Sequence, residues 1–227
     1  MDVKSHFSEN DDRKLFNGSN STVYSTKSAK TLKEAVLKIA PTNDSQINNE
    51  YQMLSKLHHR GIIDLIDYLE KDCQKMLVLE KGRDFFELIL EKGPLSEDVA
   101  KNAFRTIFEA VKFIHSNKII HRDIKLENMV MMETHELKLI DFGLALNLKD
   151  KSKADICKYC GTSKYCPPEM ILGMPPDLKL DIWSLGITLY AAVTALFPFD
   201  GEDTYSFQKS VMTDEPDFDF IDCNEYH

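Results

Sequence analysis

Several short strings in this sequence carry side chains suited to phosphate and metal chemistry. The run KLFNGSNSTVY, Lys14 to Tyr24, has the outline of a glycine-rich phosphate loop but a single glycine, Gly18. VLK ends at Lys38, and Glu50 follows twelve residues later. HRDIKLEN, His121 to Asn128, gathers Asp123, Lys125 and Asn128, and DFG begins at Asp141, eighteen residues past Asp123. CPPE ends at Glu169, and DIWSLG starts at Asp181. Lysine ammonium groups suit anions, while carboxylates and a carboxamide oxygen suit a hard divalent cation. A lone DFG or HRD triplet means little, but the full set in this order is very specific.

From about residue 10 onward the sequence resembles the eukaryotic protein kinase family, with Ile124 where H-R-D-L-x-x-x-N has leucine. The resemblance implies an α+β, two-lobed fold: a small antiparallel β lobe with one helix, then a larger, mainly helical lobe. It implies ATP and magnesium as cofactors and protein serine or threonine hydroxyls as acceptors. By that likeness Lys38 holds the α- and β-phosphates and Glu50 steadies its ammonium by ion pairing. Asp141 and Asn128 are the metal ligands, the first through a carboxylate and the second through a carbonyl oxygen. Asp123 orients the acceptor hydroxyl and takes its proton, and Lys125 neutralises charge on the transferring phosphoryl group. Lys125 and Thr162, in GTSKYCPPE, match the serine/threonine branch. Leu15, Gly18, Val23, Val36, Leu79, Glu80, Gly82 and Val130 fall at nucleotide-binding positions. Leu79 stands at the gatekeeper position, and backbone groups of Glu80 and Gly82 read the adenine edge. Leu54, Leu65, His121 and Phe142 match a hydrophobic stack between the lobes, anchored at its base by Asp181. His121 is read as a core histidine rather than an acid or base.

Four features depart from the family pattern. Aligned on Val23, the three glycine positions of the phosphate loop carry Phe16, Gly18 and Ser21. Lost glycines stiffen and crowd such a loop, so weakened nucleotide affinity is expected. Val36 stands where the family has alanine over adenine, and its extra methyl groups cost about 1–3 kcal/mol in a slot that cannot relax. Lys158 occupies the position where many relatives carry an activating phosphothreonine, which leaves Arg122 without that partner. Ser152, Tyr159 or Thr162 is then modified instead, or the segment orders without phosphorylation. Finally, His227 lies 46 residues after Asp181, short of a family helix whose arginine pairs with the glutamate matching Glu169. Leaving a buried charge unpaired costs about 3–5 kcal/mol. A truncated chain and a naturally shortened kinase both fit this ending.

GRDFFELILEKGPLSEDVAKNAFRTIFEAV and HRDIKLEN look most like the calcium/calmodulin-dependent group. Glu127 matches an acidic residue that basophilic relatives use for substrate arginine, and Asp84 and Glu87 extend an acidic groove. A preference for Arg or Lys a few residues before the acceptor follows, with Ala191, where some such relatives have glutamate, as a counter-signal. Two other readings stay open: a pseudokinase acting as a scaffold, supported by Phe16, Ser21 and Val36, and a nucleotide sensor without turnover. The ionisable set Lys38, Glu50, Asp123, Lys125, Asn128 and Asp141 is complete, which favours the active enzyme.

These residues need elements to hold them. TVYSTKS and EAVLKIA read as a hairpin around polar KSAKTLK. In DSQINNEYQMLSKLH, Ile47, Tyr51, Leu54 and Leu57 recur at helical steps. GIIDLIDYLE and KMLVLEK form another strand pair turning at KDCQ. GPLSEDVAKNAFRTIFEAVKFIHSN predicts a long helix capped by Ser96, with Ala100, Ala103, Phe104, Ile107, Val111 and Ile114 on one stripe. DIWSLGITLYAAVTALF is apolar nearly all round and predicts a central buried helix. The organisation expected is an extension over 1–9, a β lobe over 10–80, and an incomplete helical lobe over 81–227, with the hinge at EKGR, Glu80 to Arg83.

Composition sets the outer limits. The chain has 227 residues, and 28 basic against 37 acidic side chains give a net charge of −9. Nucleic acid is therefore disfavoured as a partner. ITLYAAVTALF is too short to span a bilayer, and the polar N-terminus has neither a signal-peptide core nor a myristoylation glycine. No membrane association is expected, and the location is intracellular, in the cytoplasm with the nucleus left open. Oligomeric state has no signature. Cys73, Cys157, Cys160, Cys166 and Cys223 do not make a secreted disulfide framework. The C-x-x-C at Cys157 and Cys160 lacks the further ligands of a structural zinc site, so the cysteines read as ordinary loop residues.

Overall fold

A computed structural model describes residues 13–17, 21–28, 30–31, 33–150 and 163–218. Thr162, Lys158, Ser152, Tyr159, Cys157, Cys160, Cys223, Gly18 and the side chain of Phe16 lie outside the described residues. The N-terminal part is a five-stranded antiparallel sheet in the order β1-β2-β3-β5-β4. Its strands are β1 (Arg13–Asn17), β2 (Thr22–Lys27), β3 (Glu34–Pro41), β4 (Leu65–Lys71) and β5 (Gln74–Glu80). The β4–β5 turn is made by Asp72 and Cys73, both at positive φ, which suits the tight twist of a hairpin. GIIDLIDYLE pairs only from Leu65 onward. The residues before it form a connection that bonds elsewhere.

Both faces of β3 are covered, and the alternation of its side chains shows how. Ala35 and Leu37 pack with Met76 and Val78 on one side. Val36 faces the main core on the other, the side that Lys38 shares. Helix α1 (Ser45–Leu54) crosses this second side. Asp44 caps it by accepting from the Ile47 amide at 2.8 Å, and Ile47, Asn49, Glu50, Met53 and Leu54 are its buried residues. Leu57, expected on the same helical stripe, is buried but lies beyond the helix end.

The rest of the chain is mainly helical. Short β6 (Arg83–Asp84) leads into α2 (Phe85–Lys92) and α3 (Glu97–Ser116); β7 (Ile119–Ile120), β8 (Met129–Met131), β9 (Leu137–Leu139) and β10 (Leu146–Asn147) follow. Then come α4 (Pro168–Ile171), α5 (Lys179–Thr194) and α6 (Thr204–Thr213). The six stripe residues of α3 are all buried. Ser96 stands at its N-cap but makes no side-chain cap bond, so it marks the boundary without closing it. The α5 run is shorter than its apolar sequence suggests, because Ala195 turns left-handed at the C-cap. Nor is it covered all round: Ile182 is 56% exposed among the described residues. No helix among the described residues is long and apolar enough to cross a membrane.

The connection between α1 and β4 ties the two parts together. Ile63 donates to the Leu139 carbonyl at 3.0 Å, and Leu139 donates to the Gly61 carbonyl at 2.9 Å. Gly61 is required there, since a Cβ would lie 2.4 Å from the Thr106 carbonyl oxygen of α3. One buried cluster then runs from Leu54 and Leu77 through Ile62, Phe104 and Phe142 to Leu185 and Ala192.

Candidate active site

Lys38 is the centre of the first half of the site. Strand β3 delivers its ammonium to Glu50 of α1 at 2.6 Å and to Asp141 Oδ1 at 3.1 Å. Burial alone would lower the lysine pKa, but the two carboxylates outweigh it and push it up, so the ammonium stays charged. Burial likewise works to raise the Asp141 carboxyl. The Lys38 ammonium and the Gly143 amide, which donates to Oδ1 at 3.2 Å, reverse that and hold it below the usual carboxylate range. Asp141 sits in the left-handed region at φ 59°, a conformation that costs energy for a non-glycine residue and is held here by its bonds.

The second half lies on the loop after β7. Lys125 pairs with Asp123 Oδ2 at 2.9 Å. The Asn128 amide nitrogen donates at 2.8 Å to both the Asp123 carbonyl and Asp123 Oδ2. That fixes the carboxamide so that its own oxygen is the end left for another ligand. Asn128 also accepts from the Ile140 amide at 2.9 Å through its backbone carbonyl, which seats it beside Asp141. Asp141 and Asn128 thus offer one carboxylate oxygen and one carboxamide oxygen. Among the described residues no cluster of three or more His, Cys, Asp or Glu could hold a metal ion. A sparse oxygen set of this kind fits magnesium, which keeps waters and takes phosphate oxygens as further ligands.

The loop is held from beneath by Asp181 of α5. Its carboxylate accepts from the amides of His121 at 2.9 Å and Arg122 at 3.0 Å, and from His115 Nε2 of α3 at 2.8 Å. These bonds hold Arg122 at φ 69°. His121 packs edge-on against Phe142, with ring centroids 4.7 Å apart. Its Nε2 donates to the Ile140 carbonyl at 3.1 Å and its Nδ1 accepts from the Asp123 amide at 3.3 Å. Burial keeps its pKa low, so His121 is a neutral core group. The Arg122 Nε donates to the Leu144 carbonyl at 2.6 Å, and among the described residues its buried Nη1 has no hydrogen-bond partner.

Around the cleft, Leu79 is buried at the end of β5, while Val23, Val36 and Val130 are half-buried and Leu15 is 50% exposed. Gly82 admits Val130: a Cβ at position 82 would lie 2.7 Å from the valine Cβ. The Glu80 amide donates to the Asp64 carbonyl at 3.2 Å, so its carbonyl is the group left to face a base. The Glu80 side chain turns away to buried Lys138, 2.5 Å off, and Lys138 also reaches Asp64 at 3.6 Å. Phe16 pairs with Val23 and Asn17 with Thr22 across the β1–β2 hairpin, so its two strands are in register despite the irregularity at Leu15.

Glu127 accepts from the Tyr165 hydroxyl at 3.2 Å. Burial and that carboxylate push the phenol pKa up, so it remains a donor. One oxygen of Asp84 caps α2 by accepting from the Glu87 amide at 2.9 Å, and Glu87 is exposed. Glu169 is half-buried rather than buried. Three polar residues that hold the site, His115, Asn49 and Lys138, escape sequence reasoning. Their signal is a polar side chain on an otherwise apolar face, and their partners are backbone groups or distant carboxylates.

The protein kinase domain family matches residues 10–222. A probable serine/threonine-protein kinase KIN1 homolog of Encephalitozoon cuniculi is 32% identical over 224 residues, covering 92% of this chain and 39% of the relative. Testis-specific serine/threonine-protein kinase 3 of Mus musculus is 40% identical over 159 residues, 68% of this chain and 59% of its own. NUAK family SNF1-like kinase 2 of Homo sapiens is 37% identical over 160 residues, 69% of this chain and 25% of its own. The chain therefore spans less than two thirds of the length of each of these curated relatives.

Proposed function

We propose that this chain, which belongs to the protein kinase domain family, transfers the γ-phosphoryl group of ATP to serine or threonine hydroxyls of protein substrates inside the cell. The observation that carries the reading is the contact of Lys38 with both Glu50 and Asp141 beside the Asp123–Lys125–Asn128 cluster. Lys38 holds the polyphosphate by charge, and Glu50 keeps its ammonium on one side of the cleft. Asp141 and Asn128 are the residues that would hold magnesium, which when bound supplies charge neutralisation to the phosphates. Asp123 accepts a hydrogen bond from the substrate hydroxyl and takes its proton as the oxygen attacks phosphorus. The bond from phosphorus to the bridging oxygen breaks, and its electron pair leaves on ADP. Lys125, already against Asp123, offsets charge on the phosphoryl oxygens in flight. Leu15, Val23, Val36, Leu79 and Val130 enclose the base, with the Glu80 and Gly82 backbone along its edge; Gly18 and Thr162 act at the phosphate loop and the acceptor.

Within the family we place the chain nearest the calcium/calmodulin-dependent group, on the strength of HRDIKLEN and the segment from Gly82 to Val111. Glu127, Asp84 and Glu87 favour substrates with basic residues upstream of the acceptor. Radiolabelled transfer to a serine peptide bearing an upstream arginine tests the reading. Asp123→Asn should lower kcat by roughly 10²–10⁴-fold. Equal incorporation by the two proteins, or none by the parent chain, overturns it. A peptide array without basic preference removes the acidic-groove part alone.

A further inference from the structure

Helix α1 carries a second buried polar residue next to Glu50. The Asn49 amide nitrogen donates to the carbonyl oxygens of Ala145 at 2.7 Å, Gly143 at 3.1 Å and Phe142 at 3.2 Å. Three carbonyls of the turn that follows Asp141 thus converge on one amino group. The turn also lies directly against the start of α1: a Cβ on Gly143 would come within 3.1 Å of the Gln46 Cβ. The helix therefore has anchors at adjacent positions. Glu50 holds Lys38 of β3 and also faces the Phe142 backbone amide, and Asn49 holds the carbonyls of the turn. Since Lys38 also reaches Asp141, the chain of contacts closes on itself: Asp141, the turn, Asn49, Glu50, Lys38 and back to Asp141. In a closed loop of this kind, one link cannot lengthen unless another gives.

We propose that Asn49 is a positioning residue that sets the depth of α1 against the turn after Asp141 and so keeps Lys38 where nucleotide phosphates need it. The proposal rests on the phosphoryl-transfer reading of the site. Asn49 touches no reacting atom and acts through Glu50 and Lys38, so its loss should be felt at the phosphates and not at the base. Asn49→Leu keeps the number and branching of side-chain heavy atoms in a larger volume and donates nothing. Asn49→Gln keeps the donor on a longer arm.

The experiment uses the full chain and measures peptide phosphorylation together with calorimetric affinity for magnesium-ATP and for adenosine, which has no phosphate. Asn49→Leu should lower kcat and weaken ATP binding roughly tenfold or more, as small misplacements of catalytic groups do. Adenosine affinity should stay within about twofold, and Asn49→Gln should recover part of the loss. An unchanged kcat, or ATP and adenosine affinities falling together, overturns the proposal. If the parent chain transfers no phosphate, the phosphoryl-transfer reading fails, and the split between ATP and adenosine still decides the role of Asn49. Where no nucleotide binds the parent, hydrogen exchange decides it: faster exchange confined to Ser45–Leu54 and Phe142–Ala145 in the variant supports the role, and unchanged exchange overturns it. Should the leucine variant fail to fold, Asn49→Ala, which also removes the donor, carries the same comparison.

Discussion

Asp141 shows how single groups set the charge state of the site. Its side chain is 45% exposed, yet its carboxyl is held below the usual range because Lys38 and the Gly143 amide outweigh burial. A depressed folded pKa means that the ionised form stabilises the fold above the unfolded pKa, about 4 for an aspartate. This stability is lost as the pH falls through the lowered folded value. Lys38 is shifted the other way, so its contribution is full below its unfolded pKa and fades only as pH rises through the raised one, far from the acid window. Urea midpoints of the parent chain and Asp141→Asn should therefore differ by a constant amount from pH 7 to about 5 and converge below about pH 4. Salt should shrink the difference, since half-exposed charges are screened. A gap that is the same at pH 7 and pH 3 would show that the Lys38–Asp141 contact does not hold the carboxylate in the folded protein.

At the scale of elements, what matters is how closely backbones approach. Gly61 lets the connection between α1 and β4 lie on α3, with the Thr106 carbonyl 2.4 Å from the position a Cβ would take. Gly61→Ala must displace one of two backbones and should cost about 1–3 kcal/mol. Gly186, exposed within α5 with no atom within 4 Å of its Cβ position, is the contrast. There alanine should stabilise by about 0.4–1 kcal/mol through the unfolded chain. Urea denaturation of both variants checks the pair, and shifts of the same sign would contradict it. These glycines also mark what the sequence could not disclose. The hairpins, the α3 stripe, and the order of Lys38, Glu50, Asp123, Asn128 and Asp141 were legible because periodicity and motif spacing are local properties of the chain. The close contact at Gly61 and the Asn49 bonds to carbonyls 93, 94 and 96 residues away depend on distant backbone, which leaves no pattern in side-chain types. Ser96 shows the converse: its residue type fitted a cap, and the local geometry did not use it.

Over the whole molecule, the continuous core makes the sheet and the helices depend on one another. Leu54 of α1 and Leu185 of α5 belong to one buried cluster, linked through Ile62, Phe104 and Phe142. The only tryptophan, Trp183, lies on α5 and stacks on Phe199 with centroids 5.7 Å apart, in a smaller cluster with Tyr165, Ile187 and Val211. It reports the helical part. Leu54→Ala opens a cavity at a fully buried position and should cost about 2–5 kcal/mol. If the two parts unfold as one unit, that loss at α1 must lower the midpoint seen by Trp183 fluorescence as much as that seen by far-UV circular dichroism. An unchanged fluorescence midpoint with a lowered dichroism midpoint would mean that the helical part stands alone. The shared core would then be packing without cooperativity. Coincident shifts would instead mean that α1 cannot loosen without weakening the support under Asp123, because the Phe142–His121 contact lies between them.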